Sequence, residues 1–155
     1  MRIRLVAAGA RMPDWVAAGF ADYAKRFPRD LPIELHEIRP AGRTRGGDAP
    51  RALAADGQRM LSRAGGARLV ALDVAGRLLD SGELAAELGR WRSEGGDVAI
   101  LIGGPDGLAP ACLERADLRW SLSPLTLPHQ LVRIVVTEQL YRALTILQGH
   151  PYHRS

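Results

Sequence analysis

Short apolar runs alternate with helix-period segments along this chain. That alternation restricts it to an α/β architecture: a mostly parallel sheet with helices on both faces. Four runs read as strands, Ile3 to Ala8, Pro32 to Ile38, Leu69 to Val74 and Val98 to Ile102. The last two are unbroken enough to be buried on both faces, as central parallel strands are. Between the first two, Pro13 and Asp14 start a helix whose apolar stripe is Val16, Phe20, Tyr23 and Phe27, and Pro28 ends it. A helix over Arg51 to Ala64 buries Leu53, Met60 and Leu61 and stops at Gly65 and Gly66. Asp80 and Glu83 have capping-box spacing for the next, which buries Leu84, Leu88 and Trp91 and stops at Gly95 and Gly96.

Two loops late in the chain carry the chemistry. The strand ending at Ile102 runs into GGPDGL, Gly103 to Leu108, and after one more short strand comes LSPLTLPH, Leu122 to His129. Loops that follow buried strands are where α/β proteins hold ligands. The usual nucleotide motifs are absent, with neither G-x-G-x-x-G after the first strand nor G-x-x-x-x-G-K-[ST] anywhere. The predicted site therefore lies late in the chain and is not centred on phosphate. A glycine cluster alone fits a tight turn equally well; the second loop and the tail from Gly149 to Arg154 favour a site.

At 155 residues and 46% hydrophobic, the chain is expected to form one domain, 1–155, able to build its core without metal or disulfide. Cys112 is the single cysteine, so neither a disulfide framework nor a metal-ligand spacing exists, which suits a reducing compartment. The apolar stretch Leu5 to Ala8 is too short for a signal peptide, and no run approaches the ~20 residues of a membrane span. The expectation is a soluble cytoplasmic protein with no membrane partner. Lys and Arg outnumber Asp and Glu by 21 to 17, and Lys25 is the sole lysine. Arginine's planar fork suits phosphate, although a GC-rich coding sequence gives the same bias. The loop Pro40 to Pro50 carries Arg43 and Arg45 as candidate phosphate contacts.

The last helix, Leu131 to Leu147, is apolar over most of its circumference. Glu138, Arg142 and Thr145 form its polar stripe. Such a helix needs cover on two sides: its own sheet, and then either a second copy of the chain or the rest of a monomer core.

Strand, GGPDG, strand, LSPLTLPH, long helix and a His-Pro-Tyr-His-Arg tail together resemble the SPOUT methyltransferases. Within that family the likeness is greatest to the group that methylates ring nitrogen 3 of a pseudouridine in large-subunit ribosomal RNA. It covers the whole chain, through Met12 to Trp15, Arg26 to Pro28, Ile102 to Leu108, Ser121 to His129 and His150 to Arg154. The resemblance implies a Rossmann-like sheet with a C-terminal deep trefoil knot, and a homodimer binding S-adenosylmethionine in the knotted loops. It also implies the assembled ribosome as substrate. Donor contacts carry over to Leu72, Gly103, Leu122, Ser123, Pro124, Leu125, Thr126 and Leu127, with Pro124 departing from the small residue expected there. Without the resemblance, these leucines read as ordinary core.

Methylating an imide nitrogen requires alignment, removal of a proton and stabilisation of an electron-rich ring, none of which needs a metal. The expected catalytic set is His129, Glu138, Arg142, Tyr152, His153 and Arg154. In it, Arg142 or Arg154 supplies the cation, and His129 or His153 accepts or orients the proton. Glu138 and Arg142, four apart, also fit a simple surface pair, and His129 after Pro128 fits a turn histidine. The tail is expected to fold over a substrate pocket, that of a partner subunit included. The rival readings are a SPOUT enzyme for another ribosomal or transfer RNA site, and a non-catalytic ribosome-associated binding protein.

Overall fold

The computed structural model describes residues 1–9, 11–40 and 48–154. The segment carrying Arg43 and Arg45 lies outside the described residues. In chain order the elements are β1 (Ile3–Ala8), α1 (Asp14–Ala24), β2 (Ile33–Ile38), α2 (Ala49–Ala64), β3 (Arg68–Leu78) and α3 (Ser81–Glu94). There follow β4 (Val98–Ile102), α4 (Pro110–Arg115), β5 (Leu118–Ser121), α5 (His129–Gln148) and a closing 3₁₀ turn (Pro151–Arg154). The five strands form one parallel sheet in the order β2-β1-β4-β3-β5. The α/β fold expected from the alternation is the fold observed.

Strand alternation divides the core between two faces. Ile3, Leu5, Ala7, Val98, Ile100 and Ile102 point to one side and pack with Leu84, Leu88, Trp91, Val136, Leu140 and Leu144 from α3 and α5. Val6, Ala8, Ala99 and Leu101 point to the other, against Met60 and Leu61 of α2 and Cys112 of α4. Every residue of β4 is buried. Cys112 is an unoxidised core residue whose thiol donates to the Gly57 carbonyl at 3.6 Å.

The local stop and start signals act as their residue types dictate. Asp80 Oδ1 accepts the Glu83 N–H at 2.8 Å while Glu83 Oε2 accepts the Asp80 N–H at 2.8 Å, a complete capping box for α3. Gly149, at φ 69° and ψ 19°, closes α5: its N–H reaches the Ile146 carbonyl and the His150 N–H reaches that of Thr145. This is the Schellman pattern of a left-handed glycine.

Three expectations are corrected. α1 ends at Ala24, so Phe27 lies in the turn beyond it and Pro28 does not end the helix. β3 runs to Leu78 instead of Val74, because Leu72 and Arg77 both register on Trp120 across a bulge. Gly76 permits this path, since a Cβ there would lie 2.7 Å from the Arg119 backbone. The polar stripe assigned to the last helix is also wrong in part. Thr145 is buried, as are Arg133 and Thr137, while Glu138 and Arg142 are half-buried. Each threonine satisfies its hydroxyl within its own helix, Thr137 on the Arg133 carbonyl at 2.7 Å and Thr145 on that of Arg142 at 2.6 Å.

The sheet and the neighbouring helices α1 and α3 cover much of α5, so Val136 and Leu140 are 0% exposed within one chain. A half-covered line remains at Leu131, Val135, Glu138 and Arg142. Leu140→Glu should therefore unfold the protomer itself, since an unpaired buried charge costs several kcal/mol. A folded, monomeric Leu140→Glu protein in circular dichroism and sedimentation would contradict this placement.

Candidate active site

Parallel strands all point their carboxyl ends the same way, and the bulged stretch of β3 meets the loops after β4 and β5 there around one cavity of about 480 Å³. That volume lies within the ~300–1,000 Å³ of small-molecule sites. β3 contributes Leu72, Asp73 and Val74 to the wall; the β4 loop contributes Gly103, Gly104, Pro105, Gly107 and Leu108. Leu122, Ser123, Leu125, Thr126 and Leu127 follow from the β5 loop, and His129 and Val132 from the start of α5. Seven of the eight expected donor contacts thus line one cavity. Pro124 is the exception: it is exposed and does not line the cavity.

The loops hold their shape through backbone geometry. At Gly103 a Cβ would lie 2.5 Å from the Gly107 carbonyl carbon, so any side chain there collides with the turn itself. That turn is closed by the Gly107 N–H on the Gly104 carbonyl at 2.9 Å, with Gly107 at φ 78°. In the second loop Ser123 Oγ accepts the Leu125 N–H at 2.9 Å, and Ser121 Oγ donates to the Ser123 carbonyl at 3.2 Å. Ser123 therefore shapes the loop with its hydroxyl. Leu125 holds its side chain 73% exposed at the rim.

The expected catalytic residues fall into two groups. His129 is at the cavity. Glu138, Arg142 and Tyr152 form a separate cluster further along α5, where Val132 to Glu138 is about 9 Å of helix axis and Val132 to Arg142 about 15 Å. Glu138 Oε1 accepts from Arg142 Nη2 at 2.7 Å, from Arg142 Nε at 3.0 Å and from the Tyr152 hydroxyl at 3.0 Å, while Oε2 accepts from Gln139 at 2.6 Å. The Tyr152 ring meets Tyr141 edge-on at 4.8 Å and lies 5.1 Å from the Arg142 guanidinium carbon. Burial, then the bond to Glu138, pushes the Tyr152 phenol up to about 12, so it stays a donor at neutral pH. The pairing of Glu138 with Arg142 is thus more than the surface contact their spacing permits, because it receives the tail. His153 is half-buried with Nδ1 lacking a partner, and Arg154 is exposed.

Sequence reasoning missed three neighbours. Trp120 forms part of the cavity wall, 2% exposed; its β5 position between polar residues hid it. Asp73 is the carboxylate in the lining and was passed over as part of a strand. Arg133 is fully buried behind His129, paired with Glu37 at 3.2 Å, with Nε and Nη2 lacking partners. A Cβ on Gly9 would stand 3.1 Å from that Nη2 and 3.7 Å from the His129 ring. No local pattern announces a pair 96 positions apart.

The family model for predicted SPOUT methyltransferases matches residues 1–153, and the chain belongs to that family. Among solved structures it is similar to a probable methylase family protein from Haemophilus influenzae Rd KW20, at 14% identity and a TM-score of 0.60, covering 97% of this chain and 69% of that one. It is also similar to the tRNA (m1G37) methyltransferase from Aquifex aeolicus, at 16% identity and a TM-score of 0.54, covering 92% and 70%. At such identities the likeness is one of fold. Among the described residues no group of His, Cys, Asp and Glu could hold a metal, and no helix is long and apolar enough to cross a membrane.

Gly103→Val should deform the β4 loop and weaken methyl-donor binding at least tenfold in calorimetry while the fold persists; unchanged affinity would refute the role given to this turn. The Tyr152 phenol makes an alkaline prediction. Its folded value lies above the ordinary 10, so the stability it contributes is complete below about pH 10 and is lost as pH rises through about 12. An ultraviolet titration should show one late tyrosine transition, absent from Tyr152→Phe.

Proposed function

We propose that this chain is a methyltransferase of the RlmH type, transferring methyl from S-adenosylmethionine to N3 of a pseudouridine in 23S ribosomal RNA. In this reading it works as a homodimer, in the cytoplasm, on the assembled ribosome. The observation that carries it is the convergence of Leu72, Gly103 and the Leu122 to Leu127 loop on one cavity. The trefoil knot belongs to the same reading, supported by the step of β4 to β5 past β3 and by the two loops that share the site.

The cavity fits the donor. Leu72, Leu122 and Leu127 give apolar walls for a flat base, the backbone at Gly103 and Gly104 allows close approach, and Asp73 can accept from an ammonium or a ribose hydroxyl. When bound, the donor supplies an electrophilic methyl group on a sulfonium, open to in-line displacement. The remaining work falls to the chain. His129, at the cavity, accepts or orients the imide proton. Arg142 is already engaged by Glu138, so Arg154 is the better cation for the anionic ring. Tyr152 acts through position, anchoring the tail that bears His153 and Arg154.

The position of the tail favours a two-chain site. The tail docks on Glu138 and Arg142, about 9–15 Å down α5 from its own cavity. Its last residues serve a cavity better if it is the partner's, brought near by packing along the half-covered line at Leu131 and Val135. A tail-deleted protein should bind donor normally yet transfer methyl orders of magnitude more slowly. Mixed with Gly103→Val protein it should regain part of the activity, because one composite site is then whole. Full activity in the tail-deleted homodimer would sink the assignment, and heterodimers without rescue would place each site within one chain. A transfer RNA substrate, as the Aquifex aeolicus protein's name states for that enzyme, is the rival reading. Ribosomal and transfer RNA offered together as acceptors separate the two.

A further inference from the structure

We propose that the hollow between β2 and α2, lined by Arg39, Arg59, Ser62 and Arg63, is where this protein grips the sugar-phosphate backbone of its RNA. The proposal rests on the RNA-methylating reading above and names a surface for it. The hollow has a volume of about 400 Å³, and Glu37 and Ile38 complete its lining. β2 is the sheet's edge strand, and no further strand covers it among the described residues.

Two arginines without a carboxylate partner among the described residues meet in this hollow. About half of the arginines on the described surface are engaged by carboxylates of the same chain, among them Arg2 by Glu34, Arg4 by Asp97, Arg26 by Asp22, Arg68 by Glu94, Arg92 by Asp30 and Arg90 by Glu87. In the hollow, Arg59 is paired with Asp56 at 2.7 Å and also donates to the Arg39 carbonyl, which fixes its direction. The one carboxylate lining the hollow, Glu37, is already held by the buried Arg133 at 3.2 Å. It does not offset Arg39 and Arg63, which have no carboxylate partner among the described residues.

The result is two uncompensated guanidinium groups in one concave site whose lining also includes the Ser62 hydroxyl. Arg4 adds rigidity from behind by donating to the Arg63 carbonyl at 3.0 Å. Guanidinium forks match phosphate oxygens, and a concave polar site suits a backbone strand better than a flat lipid surface. Ile38, the apolar residue of the lining, is buried and offers nothing to a bilayer.

The test is the double substitution Arg39→Ala and Arg63→Ala. Both side chains are exposed, so thermal unfolding and donor affinity should match the wild type. Affinity for a labelled duplex RNA hairpin and for large ribosomal subunits should fall at least tenfold, and the slope of log affinity against log salt should shrink by about 1.8, the value for two lost phosphate contacts. Vesicles of phosphatidylserine should not co-sediment with either protein. Unchanged RNA affinity and slope, in a wild type that methylates ribosomal RNA, would overturn the surface and leave the functional reading standing. Vesicle binding lost with the two arginines would assign the hollow to lipid and overturn the proposal. A wild type that neither binds RNA in a salt-dependent way nor methylates it would remove the functional reading, and this proposal with it.

Discussion

Burial of β4 on both faces governs this molecule. A strand reading Val-Ala-Ile-Leu-Ile has no polar side to offer water, so it needs parallel neighbours on each flank and helices above and below. Parallel neighbours in turn align every carboxyl end, and the loops that follow have nowhere to go but one rim. The cavity follows from that arrangement before any functional residue is considered. What the loops add is close backbone approach: a turn at Gly103 to Gly107 too tight for a side chain, and a second loop shaped by its own serines.

The final helix joins two regions with different tasks. Its first turn closes the cavity with His129 and Val132, its middle is core, and its later turns receive the returning tail through Glu138, Arg142 and Tyr141. A helix that performs all three cannot keep a clean polar stripe. That is why Thr145 and Thr137 are buried with self-satisfied hydroxyls and why Arg133 needs Glu37 from a distant strand. A buried, partly paired guanidinium weakens a core, and its position beside His129 and Gly9 fits a role in holding that corner in place.

Much of this was legible in the sequence because the signals are local. The strand at Val98, the capping box at Asp80 and Glu83, and the glycine stops at Gly65, Gly95 and Gly149 each depend on a few adjacent residues. The cavity loops were legible through family resemblance, since leucines at 122, 125 and 127 would otherwise pass for core. What periodicity could not supply was non-local: the strand order, the bulge that lengthens β3, Trp120 in the cavity wall, and the distance between the tail and its own chain's cavity. A charge stripe on a helical projection likewise cannot tell a threonine bonded to its own backbone from one facing water.

The most direct measurement is nucleoside mass spectrometry of ribosomal RNA from cells lacking this protein, with and without its restoration. Loss of one methyl group from a single pseudouridine of the large-subunit RNA, recovered on restoration and not recovered with Gly103→Val protein, is the predicted result. An unaltered set of ribosomal modifications, with the missing methyl found in transfer RNA or nowhere, would contradict the substrate proposed here.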